Sequence, residues 1–175
     1  MPPRLADPDI RYRDGFVAAL REGLHLEPAA EEDIRLAETD FGGWLAKRND
    51  LTRAVVLPDG RQVRKVPQRD FWLVAEENFL GVVSFRPQLN DHLMKRGGNI
   101  GYAVRASARR KGYGRLMLGL MLDYARKAGL EKVLITCHDE NAGSIKIIEG
   151  AGGVLQDKVN IAGLALPERR YWIAL

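Results

Sequence analysis

Apolar residues along this chain recur with two spacings, one typical of β-strands and one typical of helices. Phe71–Val74 and Phe79–Phe85 are short runs rich in aromatic and β-branched residues. The polar pair Glu77-Asn78 separates them, so the pattern predicts a β-hairpin. The stretch Tyr113–Lys127 is apolar almost all round in its centre, which predicts a helix that is buried by other elements.

The same two spacings predict elements in the first third and at the end of the chain. In chain order, these are a short strand ending at Leu5-Ala6, a helix from Asp7 or Asp9 through Leu20, a helical stretch from Pro28 to Leu45 interrupted near Gly42-Gly43, a long loop or small hairpin over Asn49–Arg69, and two strands at Val154–Val159 and Arg170–Ala174.

A strand–helix–strand–helix unit occupies the middle of the chain. The strand Asn99–Val104 leads through a basic loop into the buried helix, and Leu130–Cys137 contains a β-branched run suited to a second, buried strand. Asn141 then opens the helix Ala142–Glu149. Earlier strands followed by this unit predict a mixed α/β fold with helices on both sheet faces. The length of 175 residues favours one domain, residues 1–175.

The loop between that strand and helix carries the pattern Arg-x-x-Gly-x-Gly at Arg109, Gly112 and Gly114. Glycines let the main chain turn tightly and approach a ligand. The N-terminus of the following helix adds unpaired N–H groups and a positive dipole end, which attract a phosphate or diphosphate. An ordinary basic turn fits the short pattern as well. A dinucleotide fingerprint would need a glycine at Met117, and a Walker loop would need the lysine after Gly112.

The order of these motifs resembles the GNAT superfamily of acetyl-CoA-dependent N-acetyltransferases. The residues that carry the resemblance are Val104, Ala106, Arg109, Gly112, Gly114, Asn141, Ser144, Gly152 and Gly153. The resemblance is close over about residues 99–155, the cofactor-binding core. It implies a mixed, mostly antiparallel central sheet and acetyl-CoA as co-substrate. Two residues depart from the family pattern: Ala106 replaces a usual proline, and Ile148 stands where many members carry a tyrosine that protonates the leaving thiolate.

The resemblance also implies which residues contact coenzyme A. Main-chain N–H groups of the basic loop would hold the diphosphate, the end of the central strand would pair with the pantetheine arm and polarise the acetyl carbonyl, and the next helix would face the cofactor. These residues are Val104, Arg105, Arg109, Arg110, Lys111, Gly112, Tyr113, Gly114, Arg115, Asn141 and Ser144. An N-cap role for Asn141 and a packing role for Ser144 are equally consistent with the sequence.

Transfer of an acetyl group to an amine requires a free lone pair on the amine. An alkyl amine has a pKa of about 10.4, so deprotonation at pH 7 costs about 4–5 kcal/mol and a general base is valuable. The candidates are Tyr102 in the central strand, and His138 and Glu140 just after a strand end, where ligands collect. Packing for Tyr102, a solvated loop position for His138 and support of the next helix N-terminus for Glu140 remain alternatives.

Composition narrows the function classes. The net charge of +4 is mild, and the chain shows no zinc-finger, helix-turn-helix or aromatic RNA-binding pattern, so we do not expect nucleic-acid binding. No metal-ligand spacing and no apolar run of membrane-spanning length is present. The single cysteine, Cys137, and the absence of an apolar leader favour the cytoplasm. The strand at Tyr171–Ile173 either forms a homodimer edge or completes the sheet.

Two function hypotheses follow. The first is an acetyl-CoA-dependent N-acetyltransferase that uses direct attack of a small-molecule or peptide amine on the thioester. The second is a non-catalytic acyl-CoA-binding or regulatory module, which Ile148 and the lack of an evident base favour. The sequence does not identify the amine acceptor.

Overall fold

The structure is a computed structural model that describes residues 2–24 and 31–175. Strands and α-helices alternate irregularly along this part of the chain. In chain order they are β1 (Arg4–Ala6), α1 (Arg13–Arg21), α2 (Glu31–Thr39), α3 (Phe41–Asn49), β2 (Ala54–Val56), β3 (Gln62–Arg64), β4 (Arg69–Ala75), β5 (Asn78–Phe85), β6 (Ile100–Val104), α4 (Tyr113–Lys127), β7 (Lys132–His138), α5 (Ala142–Gly150), β8 (Val154–Val159) and β9 (Glu168–Ala174). Short 3-10 turns occupy Ile10–Tyr12 and Ala106–Ala108.

The strands form three hydrogen-bonded sheets. One has the order β1-β4-β5-β6, the second is the hairpin β2-β3, and the third has the order β7-β9-β8. The pairs β1–β4, β2–β3, β7–β9 and β8–β9 are all antiparallel. The prediction of a mixed α/β fold with mostly antiparallel strands is therefore confirmed.

The chain divides into two compact units that interleave along the sequence. The first contains Met1–Asp50, Asp70–Val83 and Tyr102–Met117, and the second contains Leu51–Arg69, Ser84–Gly101 and Leu118–Leu175.

The first unit is built on an aromatic cluster. The ring of Phe16 from α1 stacks on Trp72 of β4 with centroids 4.6 Å apart, and it lies 4.8 Å from Trp44 of α3. Trp72 meets Phe79 of β5 edge to face at 5.1 Å. Aromatic pairs in such geometries contribute about 0.5–1.5 kcal/mol beyond their buried area. The cluster therefore ties the N-terminal helices to the hairpin that the sequence predicted.

The second unit has an aliphatic core. Val133, Leu134 and Ile135 of β7 are fully buried, as the β-branched run predicted, and so are Tyr171 of β9 and Ile148 of α5. The register places His138, the last residue of β7, opposite Glu168, the first residue of β9. This register brings the polar ends of the two strands together.

Most sequence-based boundaries lie within a few residues of the observed ones. The helix predicted after Asp7 or Asp9 is α1 with its preceding 3-10 turn, and Asp9 caps the turn by accepting from the Arg11 N–H at 2.9 Å. The hairpin alternative for Asn49–Arg69 is the correct one. The first residues of the predicted second helix, Pro28–Ala30, lie outside the described residues.

The interruption predicted near Gly42-Gly43 lies at Asp40, between α2 and α3. The Asp40 side chain caps α3 by accepting from the Gly43 N–H at 2.8 Å. Both glycines lie in the first turn of α3, where they continue the helix. The capping aspartate, and not the glycine pair, separates the two helices.

Candidate functional site

The basic loop between β6 and α4 has an unusual main-chain conformation. After the 3-10 turn Ala106–Ala108, Arg110 has φ 65° and Gly112 has φ 83°, both in the left-handed region. Glycine adopts this region freely, whereas an L-residue such as arginine pays about 1–2 kcal/mol. Strain of this kind is common at ligand-binding loops, where the surrounding structure maintains it.

The loop leaves main-chain N–H groups without hydrogen-bond acceptors at the start of α4. The first intrahelical bond of α4 runs from the Leu116 N–H to the Gly112 oxygen at 3.1 Å. The N–H groups of Tyr113, Gly114 and Arg115 have no acceptor among the described residues. A Cβ placed on Gly112 would meet no heavy atom within 4 Å. These unbonded amides lie at the positive end of a 15-residue helix.

Basic residues without ion-pair partners lie next to these amides in the sequence. Arg110, Lys111 and Arg115 are exposed, and none of them forms an ion pair with residues 2–24 or 31–175. Arg109 is also exposed, and its Nε donates to the Val104 oxygen at 3.4 Å. Unbonded amides, a helix N-terminus and several cations without ion-pair partners are features typical of sites that bind polyanions.

Arg105 is bound more tightly within the protein than the loop that follows it. Its N–H donates to the Leu80 oxygen at 2.9 Å, and its own oxygen accepts from the Ala108 N–H at 2.9 Å. Its guanidinium bonds Glu22. Val104, the other strand-end residue predicted to meet the pantetheine arm, is the last residue of β6, and its oxygen accepts from the Arg109 Nε.

Asn141 and Ser144 lie in the second unit at the start of α5. The Asn141 side-chain oxygen accepts from the Ser144 N–H at 3.0 Å, so Asn141 is the N-cap of this helix. Asn141 is exposed and Ser144 is half-buried. The cap bond joins the Asn141 side-chain oxygen to the Ser144 N–H, and it does not involve the Ser144 hydroxyl.

The three predicted catalytic residues lie in two different units. Tyr102 is a half-buried residue of β6 in the first unit, whereas His138 and Glu140 lie after β7 in the second. His138 turns Nδ1 inward, 2.9 Å from the Glu168 Oε1, at an angle outside the hydrogen-bonding range. The rest of its ring is partly exposed, with 42% of the side-chain surface accessible. Glu140 is exposed.

Glu168 is a buried carboxylate with only 2% exposure. Burial raises its pKa, while His138 and Arg96 oppose that shift, as does a hydrogen bond from Thr136. The Arg96 Nε lies 3.4 Å from Oε1. Sequence reasoning missed Glu168, because its proximity to His138 depends on the β7–β9 register, which no local pattern encodes.

Asp139, the residue after His138, is held by two cations. Its carboxylate lies 2.5 Å from the Arg169 Nε and 2.9 Å from the Lys158 Nζ. Hydrogen bonds from Lys158 and Arg169 lower its pKa. Asp139 therefore stabilises the strand ends as an ionised partner and is a poor proton acceptor at neutral pH.

The sequence matches the model of the acetyltransferase (GNAT) domain over residues 24–154, more than half of the chain. The chain belongs to the GNAT acetyltransferase family. The matched range contains the basic loop, β7 and α5. No curated protein sequence matches the chain.

Solved GNAT structures share the fold at low sequence identity. The microcin self-immunity acetyltransferase MccE, in complex with acetyl-CoA and AMP, aligns with a TM-score of 0.66 and 17% identity over 99% of this chain and 92% of that chain. The ribosomal-protein alpha-N-acetyltransferase RimL aligns with 0.64 and 15%, over 99% and 90%. The spermidine/spermine N-acetyltransferase SpeG from Vibrio cholerae aligns with 0.63 and 16%, over 99% and 95%.

Ile148, the departure from the usual GNAT tyrosine, is a core residue. It is fully buried in α5, and a Cβ placed on Gly153 would come within 2.5 Å of its Cγ2. An aliphatic side chain in this position fills space and carries no exchangeable proton. In this GNAT chain, a general acid at position 148 is therefore absent.

Three further features of this GNAT domain concern membrane-spanning helices, metal ligands and the single cysteine. Within residues 2–24 and 31–175, no helix is long and apolar enough to cross a membrane. The same residues bring together no group of three His, Cys, Asp or Glu side chains that could hold a metal ion. Burial, followed by the charge of Glu168, raises the pKa of the Cys137 thiol to about 11, so this thiol is a poor nucleophile.

Proposed function

We propose that this chain is an acetyl-CoA-dependent N-acetyltransferase that acts as one domain over residues 1–175. The observation that carries the proposal is the set of free main-chain N–H groups of Tyr113, Gly114 and Arg115 at the start of α4. They stand beside the unpaired cations of the loop, in a family whose members include acetyl-CoA-bound MccE.

On the coenzyme side, the loop would hold the diphosphate. Each hydrogen bond from an N–H group to a phosphate oxygen contributes about 1.5–3 kcal/mol. The cations of Arg109, Arg110, Lys111 and Arg115 would add attraction that falls with ionic strength. The main chain at Val104 would bind the pantetheine arm, while Asn141 and Ser144 would approach the coenzyme from α5.

On the amine side, His138 is the best supported base. An imidazole nitrogen can accept the amine proton as the nitrogen lone pair attacks the acetyl carbonyl, and Nε2 is the ring nitrogen on the side away from Glu168. The carboxylate of Glu168 would stabilise the imidazolium that forms. The C–S bond then breaks, and water protonates the thiolate because Ile148 cannot. Tyr102 and Glu140 remain candidates for the same role.

The acceptor is an amine of a small molecule or a peptide. SpeG is named for spermidine and spermine, and RimL for a ribosomal protein, so solved structures with this fold include acetyltransferases for both acceptor types. Identities of 15–16% do not transfer either acceptor to this chain.

Two measurements test this function. Calorimetric titration with acetyl-CoA should show one-site binding that weakens as salt increases. Thiol release should then be followed with a panel of polyamines, small amines and peptides with free N-termini, and at least one should react. No binding at millimolar acetyl-CoA would contradict the proposal. Tight binding without turnover on any amine would favour the non-catalytic acyl-CoA module, which the buried Ile148 supports.

A further inference from the structure

A carboxylate from the end of α1 holds the chain segment that leads into the basic loop. Glu22 follows α1, and its Oε1 accepts from the Arg105 Nε at 2.8 Å and from Nη2 at 2.6 Å. Its Oε2 accepts from the Ser107 N–H at 3.2 Å and from the Ser107 hydroxyl at 3.0 Å. All three residues belong to the first unit.

Through these bonds Glu22 holds both side chains and the main chain of the segment before the loop. The Arg105 N–H is already bonded to Leu80 of β5, so the segment is fixed to the sheet on one side and to α1 on the other. Ser107 lies inside the 3-10 turn that directly precedes Arg109 and Arg110. The segment before the strained residue Arg110 is therefore held at several points.

The Glu22 carboxylate pairs with one cation of this region and with none of the others. Glu22 neutralises Arg105, and Arg105 first, then the Ser107 N–H, lowers the pKa of Glu22 to about 2. The side chains of Arg110, Lys111 and Arg115 have no such partner among the described residues. Arg105 is thus a structural cation, and the later cations of the loop remain available for an anion.

We propose that Glu22 is a positioning residue of the coenzyme site, which acts through Arg105 and Ser107. This inference rests on the proposed function. The free amides at the start of α4 bind a diphosphate only if the loop is already in the left-handed conformation at Arg110 and Gly112. A loop that must first become ordered binds more weakly, because ordering costs conformational entropy. The Glu22 clamp, defined by its bonds to Arg105 and Ser107, keeps the loop ordered before the coenzyme binds.

The test compares Glu22→Gln with Glu38→Gln. Glu38 is a matched control. Its Oε1 accepts from the Nε of Arg21, the last residue of α1, at 2.8 Å, and it has no bond to the loop. We expect about a tenfold higher Kd and KM for acetyl-CoA in Glu22→Gln, with kcat at saturating acetyl-CoA nearly unchanged. Glu38→Gln should match the wild type. Ser107→Ala, which removes the hydroxyl donor of the clamp and keeps Glu22, should show a smaller increase in Kd.

Two further readouts separate positioning from a general loss of stability. Hydrogen exchange at the Arg110–Arg115 amides should accelerate in Glu22→Gln and not in Glu38→Gln. The double variant with Arg105→Gln should be no weaker than Glu22→Gln alone, because both changes break the same clamp. An unchanged Kd in Glu22→Gln, with wild-type protein that binds acetyl-CoA, would overturn this inference alone. Wild-type protein that does not bind acetyl-CoA would overturn the proposed function, and this inference with it.

Discussion

The imidazole of His138 and the buried carboxylate of Glu168 lie opposite each other at the ends of β7 and β9, with Nδ1 2.9 Å from Oε1. This contact lies outside hydrogen-bonding geometry, and it turns Nδ1 towards the buried carboxylate and Nε2 to the opposite side. The β7–β9 register therefore brings an imidazole and a carboxylate together, although the two residues are 30 positions apart.

Replacement of His138 by Gln should lower kcat with the best amine about 100-fold, in the range expected for loss of a general base. Glu168→Gln should lower kcat about tenfold, because the imidazolium loses its partner. The Kd for acetyl-CoA should stay within twofold in both. Glu149→Gln is a control in the same unit, since Glu149 bonds the Tyr171 hydroxyl at 3.0 Å. Full activity in His138→Gln would exclude this residue as the base.

A carboxylate at Gly112 should abolish coenzyme binding. Gly112→Asp places a negative charge in the open space beside the free amides, and we expect at least a 100-fold increase in the Kd for acetyl-CoA. Gly60→Asp is the matched control, because Gly60 also has φ 83° and open space around its Cβ. Both variants carry similar backbone strain, and only the first should lose affinity. Equal losses in calorimetric titrations would attribute the effect to folding.

The Glu22 clamp should contribute to stability in a defined pH window. The folded-state pKa of Glu22 is about 2, below its ordinary value of 4.5, because of Arg105 first and then Ser107. The contribution is therefore fully present above about pH 4.5 and is lost as the pH falls towards 2. Urea unfolding of wild type and Glu22→Gln should show a difference at pH 6 that shrinks by pH 3. A difference that grows on acidification would contradict the ion pair.

Installing the common GNAT tyrosine should destabilise this chain. Ile148 is fully buried against Gly153, so Ile148→Tyr overpacks the core and should cost about 1–3 kcal/mol in urea unfolding. Val154→Tyr is a control for added volume, since Val154 is 70% exposed. It should change stability little. An Ile148→Tyr protein with native stability and a raised kcat would show that the position does supply an acid.

The sequence alone predicts the parts of this structure that local patterns determine. The strand β6, the loop glycines and the helix α4 follow one another within about 30 residues, and their periodicities and turn residues are read directly. The helix α4 is buried on one face only, with Arg115, Gly119 and Asp123 exposed. The capping aspartate Asp40 is a weaker local signal than the neighbouring glycines, so the sequence predicts the helix break at Gly42-Gly43 and not at Asp40.

Residues whose roles depend on distant partners could not be predicted. Glu22 meets Arg105 across 83 positions, and Glu168 meets His138 only through the antiparallel register of two strands. In the sequence both appear as ordinary charged residues. Their importance appears only when burial, distance and the partner's chemistry are known together.

The central claim is that main-chain amides at the start of α4 bind the coenzyme diphosphate. A crystal structure with acetyl-CoA tests it most directly. We predict diphosphate oxygens about 2.7–3.2 Å from the nitrogens of Tyr113, Gly114 and Arg115, with Arg110 and Gly112 still left-handed. Acetyl-CoA density elsewhere, with these three amides bonded to protein or solvent, would contradict the account.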